Sequence, residues 1–228
     1  LAAEVFAALK LRPNVRYTAL VPNQKGLERA LASHVKSIAL FTAASETFTE
    51  RNIGMTIAES LQIFRTLMPQ AKTAELRVRA YISMAFHCPY EGKIAPAQVV
   101  PLVQELLALG IDEISLGDTI GHAIPAEVAE LSHALTEILP LSQFAYHFHD
   151  TQRTALANVE QALSGGVRIF DSAAGGLGGC PFAPGASGNL ATEELLILLH
   201  NRGYETGVIL AKVVEATEFL KKSVAHSA

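Results

Sequence analysis

The chain has 228 residues, 50% of them hydrophobic, 7% aromatic and 18% charged, and its 18 basic and 22 acidic residues leave a formal charge of −4. That apolar fraction excludes a disordered or collagen-like chain, the acidic balance argues against a nucleic-acid binder, and no uncharged apolar run reaches the ~18 residues of a membrane span. The two cysteines, Cys88 and Cys180, cannot build a disulfide framework, which points to a reducing compartment, and the residues after Leu1 do not resemble a signal or transit peptide.

In chain order, short β-rich runs alternate with longer helical patterns. Residues 1–10 carry a helical apolar pattern. Arg16 to Val21 reads as a strand and Gln24 to Ser33 as a helix; strand Ser37 to Phe41 leads through a polar loop to a helix over Ile57 to Met68. Arg77 to Ala85 is the third strand, followed by a helix from Ala95 to Leu109. Strand Glu113 to Leu116 precedes helix Pro125 to Leu139, and strand Gln143 to Phe148 precedes helix Arg153 to Ser164. The last strand, Val167 to Asp171, runs into a glycine-rich loop and a helix from Thr192 to His200. Pro125 suits the first turn of its helix, and Glu193 and Glu194 place acids at a positive helix end.

These are six βα units, each roughly 30 residues long, with strands apolar enough to be covered by helices. Such a repeat fits a doubly wound sheet or a (β/α)₈ TIM barrel. Val21-Pro22-Asn23 is no dinucleotide fingerprint, and Gly175 to Gly179 lacks the Lys-Ser/Thr of a phosphate loop, so the α/β barrel is favoured. The chain is expected to be a single TIM-barrel domain over 1–228 that holds six of the eight units.

In a barrel the chemistry lies at the carboxyl ends of the strands. Tyr146-His147-Phe148-His149-Asp150 is the sharpest local signal: on a strand His147 and His149 share a face, and two imidazoles so placed bind one divalent metal or form a hydrogen-bonded core pair. Asp150 reads as the cap of the next helix. Asp118, after Glu113 to Gly117, is placed for a general base or for a turn-forming residue. Ser115 and Thr119 are hydroxyls near the same mouth, and His122 reads as a loop residue without a role. Cys180 sits in a glycine-rich loop whose backbone can approach a ligand closely, whereas Cys88 reads as a packing residue.

Taken together, Phe41 to Glu46, Cys88 to Lys93, Ile114 to Thr119, His147 to Thr151 and the loop from Gly176-Leu177-Gly178-Gly179-Cys180-Pro181 to Glu193 resemble the 3-hydroxy-3-methylglutaryl-CoA (HMG-CoA) lyases from about Val15 to Phe219. The strand-end His-x-His is shared with isopropylmalate synthases; the cysteine loop is specific. The resemblance implies a (β/α)₈ barrel that cleaves HMG-CoA to acetyl-CoA and acetoacetate with Mg²⁺ or Mn²⁺. It implies that His147, His149 and Asn189 are metal ligands, that Asp118, working with His147, and Cys180 are catalytic, and that Asn52, Ser115 and Thr119 face the substrate. The partner is then a CoA thioester, with no nucleic acid and no membrane, in a homo-oligomer that is cytoplasmic if bacterial and in the mitochondrial matrix if eukaryotic. Cys180 is expected to protonate the leaving enolate.

The family's first strand carries an Arg-Asp pair, and no strand ahead of Arg16 holds one here. Two βα units, including the first two strands, are therefore expected to be missing, and this stretch is expected to be inactive alone. The alternatives are a lyase for a longer-branched hydroxyglutaryl-CoA and a barrel without chemistry that acts as a binding protein; a bond-forming synthase is disfavoured by the cysteine loop.

Overall fold

The alternation of apolar strands and amphipathic helices builds one parallel sheet backed by helices. The computed structural model describes residues 2–178 and 188–225. The strands are β1 (Thr18–Leu20), β2 (Ser37–Ala43), β3 (Arg77–Ser83), β6 (Glu113–Asp118), β7 (Phe144–Phe148) and β8 (Ile169–Asp171); β4 (His87–Cys88) and β5 (Gly92–Lys93) form a separate antiparallel ribbon. The six pair in the order β1-β2-β3-β6-β7-β8, each parallel to its neighbour. Consecutive units lying side by side are what right-handed βαβ crossovers produce.

The helices are α1 (Ala2–Ala8), α2 (Gln24–Ala32), α3 (Glu46–Ile53), α4 (Ile57–Thr73), α5 (Pro96–Ala108), α6 (Pro125–Leu135), α7 (Ala155–Ser164), α8 (Thr192–Asn201) and α9 (Leu210–Ala225). Alternate strand residues, among them Val78, Ala80 and Ile82 of β3, Ile114 and Leu116 of β6, and Phe144, Tyr146 and Phe148 of β7, are buried in one core with Leu67, Leu106, Val128, Leu131 and Val159 from the helices. The β7 aromatics stack along that face, Tyr146 and Phe148 with ring centroids 5.0 Å apart, and the Tyr146 hydroxyl bonds Ser132 of α6 at 2.8 Å. The next residues along each strand therefore face the other way.

That other face is concave. Arg79 of β3 bonds Asp171 of β8 at 2.8 Å although β6 and β7 lie between them in the sheet. Flat strands ~4.8 Å apart would hold these two backbones roughly 14 Å from each other, so the sheet must curl to let the side chains meet across a lumen. The result is six staves of a (β/α)₈ barrel wall, as the βα count implied.

Three elements differ from the sequence reading. The polar stretch after β2 contains α3, capped by Ser45, whose Oγ accepts from Phe48 N at 3.1 Å, and ended by Gly54 in the left-handed region. The ribbon β4–β5 follows β3, and α9 lies beyond the last helix read from the sequence. Strand ends differ by at most two residues, and the helix expected to run to Leu139 stops at Leu135. Among the described residues, no helix is long and apolar enough to cross a membrane.

Candidate active site at the mouth of the barrel

Because Tyr146 and Phe148 point into the helix layer, His147 and the next alternate residue, His149, point into the lumen. Their rings lie 5.2 Å apart. The segment 188–191 comes back along the end of β7: Leu190 N donates to Phe148 O at 3.0 Å, and Asn189 forms an antiparallel bridge with His149. Gly188 permits this return. Its φ is +125°, and a β-carbon there would stand 2.6 Å from the Gly176 carbonyl. The Asn189 amide nitrogen donates to the carbonyls of Leu177 and Gly178, and its Oδ1 is buried.

Two buried atoms of this pair, His149 Nδ1 and Asn189 Oδ1, have no hydrogen-bond partner among the described residues. Burial and the neighbouring His147 push the His149 pKa down to about 4, so its imidazole is neutral at pH 7 and carries a free lone pair. An orphaned imidazole nitrogen and an orphaned amide oxygen beside a second imidazole fit a divalent cation of mixed N/O preference. No group of three or more His, Cys, Asp or Glu side chains that could hold a metal forms among the described residues.

Beneath the histidines runs a charged ladder. Asp171 lies opposite His147 in the β7–β8 register, with Oδ2 3.6 Å from His147 Nδ1. Ser115 Oγ donates to Asp171 Oδ2 at 2.8 Å, and Arg79 Nη2 donates to the same oxygen at 2.9 Å. Arg79 also pairs through Nε with Glu113 at 3.1 Å and lies over the Tyr81 ring at 4.7 Å. Burial pushes the Asp171 carboxyl up, but the His147 and Ser115 hydrogen bonds and the charges of Arg79 and His147 outweigh it, leaving Asp171 below the usual carboxylate range. The same burial, with the Asp171 charge, raises the Tyr81 phenol.

Asp118 occupies a different place. It lies on the helix-facing side of β6, its side chain fully buried, with Oδ1 accepting from His122 N at 3.0 Å and Oδ2 from Ala123 N at 3.2 Å. Burial pushes its pKa up to about 6, against those two amide bonds. Of the two readings its sequence position allowed, this geometry is that of the turn-forming residue, and the carboxylate is not brought together with His147 and His149. The turn it holds packs on the His149 segment: a β-carbon on Gly121, at φ +67°, would stand 2.9 Å from the His149 carbonyl.

Thr119 is likewise tied to the scaffold, its Oγ1 accepting from Met84 N at 2.9 Å. Ser115 does face the lumen. Asn52 lines a separate cavity of about 410 Å³ with Leu20, Asn23, Phe41, Met55 and Phe64, between the ends of β1 and β2 and the α3–α4 pair. Cys180 lies outside the described residues. Cys88 is buried, 3.0 Å from Ser45 Oγ, in keeping with a packing role. Asp150 caps α7, accepting from Ala155 N at 3.0 Å.

The sequence reading passed over Arg79, Tyr81, Glu113 and Asp171. A signal was present in Arg77-Val78-Arg79-Ala80-Tyr81, where charge recurs on one face of a strand whose other face is apolar, in a sheet type usually covered on both sides.

Comparison with known proteins bears on the whole of this arrangement. The HMGL-like family model matches residues 4–220. The chain is 49% identical to the hydroxymethylglutaryl-CoA lyase of Pseudomonas mevalonii over 212 residues, covering 93% of this chain and 70% of that protein. It is 47% identical to the mitochondrial hydroxymethylglutaryl-CoA lyase of Pongo abelii over 217 residues, 95% of this chain and 67% of that one. The solved HMG-CoA lyase of Acinetobacter baumannii, in complex with coenzyme A and 3-methylmalate, superposes with a TM-score of 0.91 at 38% identity, over 96% of this chain and 72% of that chain.

Proposed function

The chain belongs to the HMGL-like family, and from that premise we propose that it is a carbon–carbon lyase that cleaves HMG-CoA to acetyl-CoA and acetoacetate with Mg²⁺ or Mn²⁺. The observation that carries this reading is the pair of orphaned donors, His149 Nδ1 and Asn189 Oδ1, beside His147 at the mouth of the barrel. The three side chains would hold the cation. When bound, the cation lowers the pKa of the substrate's tertiary alcohol and fixes its orientation.

The carbon–carbon bond beside that alcohol breaks as its proton passes to solvent water at the open mouth of the barrel, and the electron pair departs on the thioester enolate, which a proton then converts to acetyl-CoA. Cys180 is the proposed donor of that last proton, a role that suits a thiol in a glycine-rich stretch of sequence. Ser115 stands at the same lumen and is kept as a substrate-facing hydroxyl; Asn52 is kept for the neighbouring cavity. Asp118 is given the support of the 119–123 turn in place of a base, because both its oxygens are held by main-chain amides. The solved relative's coenzyme A supports a CoA thioester as the partner.

The test is turnover of HMG-CoA by the protein expressed from its full reading frame, read as acetoacetate, with Mg²⁺, with Mn²⁺ and with EDTA, beside a longer-branched hydroxyglutaryl-CoA. Metal-dependent acetoacetate that disappears with His149→Ala is the expected result. No cleavage of either thioester under any metal condition overturns the lyase reading. A Cys180→Ala enzyme with full turnover removes the thiol from it.

A further inference from the structure

Asp171 is placed by more than its own strand. It ends β8, and its carboxylate is gripped from two directions: by Arg79, which reaches across the lumen from β3 with Nη2 2.8 Å from Oδ1 and 2.9 Å from Oδ2, and by Ser115 Oγ at 2.8 Å. Arg79 is itself fixed by Glu113 and by the Tyr81 ring. A carboxylate held this way cannot follow its neighbours; its neighbours must adapt to it. The remaining one is the His147 imidazole, whose Nδ1 stands 3.6 Å from Oδ2. The other rings near His147, Tyr81 at 6.4 Å edge-on and His149 at 5.2 Å, pack against it without competing for that nitrogen.

A neutral imidazole carries one proton on either nitrogen, and the one facing an anion is the one that keeps it, because a lone pair turned toward a carboxylate is repelled. We propose that Asp171, locked by Arg79 and Ser115, is a positioning residue that holds His147 in the Nδ1–H tautomer and so presents its Nε2 lone pair as the donor atom. The tautomer half of this stands on the lumen geometry alone. The donor half rests on the metal-dependent reading above. Carboxylate, imidazole and cation in series is a common way of orienting a histidine ligand and raising its basicity.

The test compares the full-length chain with Asp171→Asn by imidazole ¹⁵N NMR near pH 8, with the His147 signals assigned from a His147→Gln variant, and by Mn²⁺ titration followed by electron paramagnetic resonance. In the wild-type protein His147 is expected as the Nδ1–H form, the reverse of the Nε2–H form that a free imidazole prefers in water. In Asp171→Asn, Arg79 keeps the side-chain oxygen and the new amide N–H turns toward His147, so the proton moves to Nε2 and Mn²⁺ binds ~10–100-fold more weakly. Thermal unfolding monitors the fold, and a merely structural role for Asp171 would leave the tautomer where it was. An Nε2–H tautomer in the wild type, which needs no variant to fold, overturns the proposal, as does an Asp171→Asn protein with unchanged tautomer. If the wild type binds Mn²⁺ no better than His149→Ala, the metal reading falls while the tautomer comparison still decides the role of Asp171.

Discussion

At the carboxyl ends of β6 and β7 the two faces of one sheet carry polar groups of opposite character. The lumen face holds Arg79, Ser115, His147, His149 and Asp171, joined by charge and hydrogen bonds and ending, with Asn189, in two donor atoms that have no partner among the described residues. The helix-facing side holds Asp118, and just beyond the strand Thr119 is likewise tied to the scaffold; both are buried and bonded to main-chain N–H groups of neighbouring turns. In the first set the polar groups reach their partners across an open lumen and leave bonding capacity spare; in the second they consume the backbone's own donors. For Asp118 the difference follows from strand parity, since a step of one residue carries a side chain from the lumen to the helix layer. An acid at a strand end is thus a candidate for chemistry only once its face is known.

Exchanging the roles of the two sets is the sharpest way to break the comparison. His149→Ala is expected to weaken Mn²⁺ binding by at least ~100-fold while the urea midpoint stays close to that of wild type, because its Nδ1 has no partner to lose among the described residues. Asp118→Ala is expected to do the reverse. It strands the N–H groups of His122 and Ala123 and costs about 2–4 kcal/mol in urea unfolding, with Mn²⁺ affinity within a few-fold of wild type for the folded protein. A stable Asp118→Ala protein that cannot bind Mn²⁺ would return that carboxylate to the metal site.

The pH dependence sharpens the same contrast. Burial raises the folded-state pKa of Asp118 from its ordinary 3.8 to about 6, so the folded chain binds this proton more tightly than the unfolded chain does. The stability it contributes is therefore present below pH 4 and is lost as pH rises through about 6, a swing of up to about 3 kcal/mol. Asp118→Asn, which has no such proton, should gain on the wild type between pH 4 and pH 7 when urea midpoints are compared in EDTA. A constant difference across that range would mean that the Asp118 carboxyl is not desolvated in solution.

How far these roles were legible depended on whether the deciding physics was local. The βα beat was, because burial of both sheet faces writes apolar strands and amphipathic helices directly into composition. So was the His147/His149 pair, whose shared face follows from strand alternation alone, and so was the Asp150 cap. The face of Asp118 was within reach of the same alternation, since His147 and Ser115 face the lumen and the even-numbered residues of β6 do not. Asp171 was out of reach. Its meaning comes from Arg79, 92 residues away in sequence and three strands away in the sheet, and only the curl of the barrel brings the two together. Helix α3 was hidden differently, by a polar sequence stabilised at its start through Ser45 and through Glu91 Oε1, which accepts from Thr47 N at 2.7 Å.

Thr119 gives the smallest expected effect and the finest test of the division. Its hydroxyl was expected to face substrate, yet it accepts from Met84 N, and Met84 is fully buried with φ at +54° where β3 turns out of the sheet. A non-glycine residue in the left-handed region depends on its surroundings to stay there, and the hydroxyl supplies one of the bonds that hold it. Thr119→Val keeps the shape and removes the acceptor, leaving one buried N–H unmet, so it should cost about 1–2 kcal/mol in unfolding. If Thr119 belongs to the scaffold, KM for the thioester should stay within about twofold of wild type while kcat follows the folded fraction. A KM that rises sharply at unchanged stability would place the hydroxyl at the substrate, and the line between the two faces would then have to be drawn beyond the strand end.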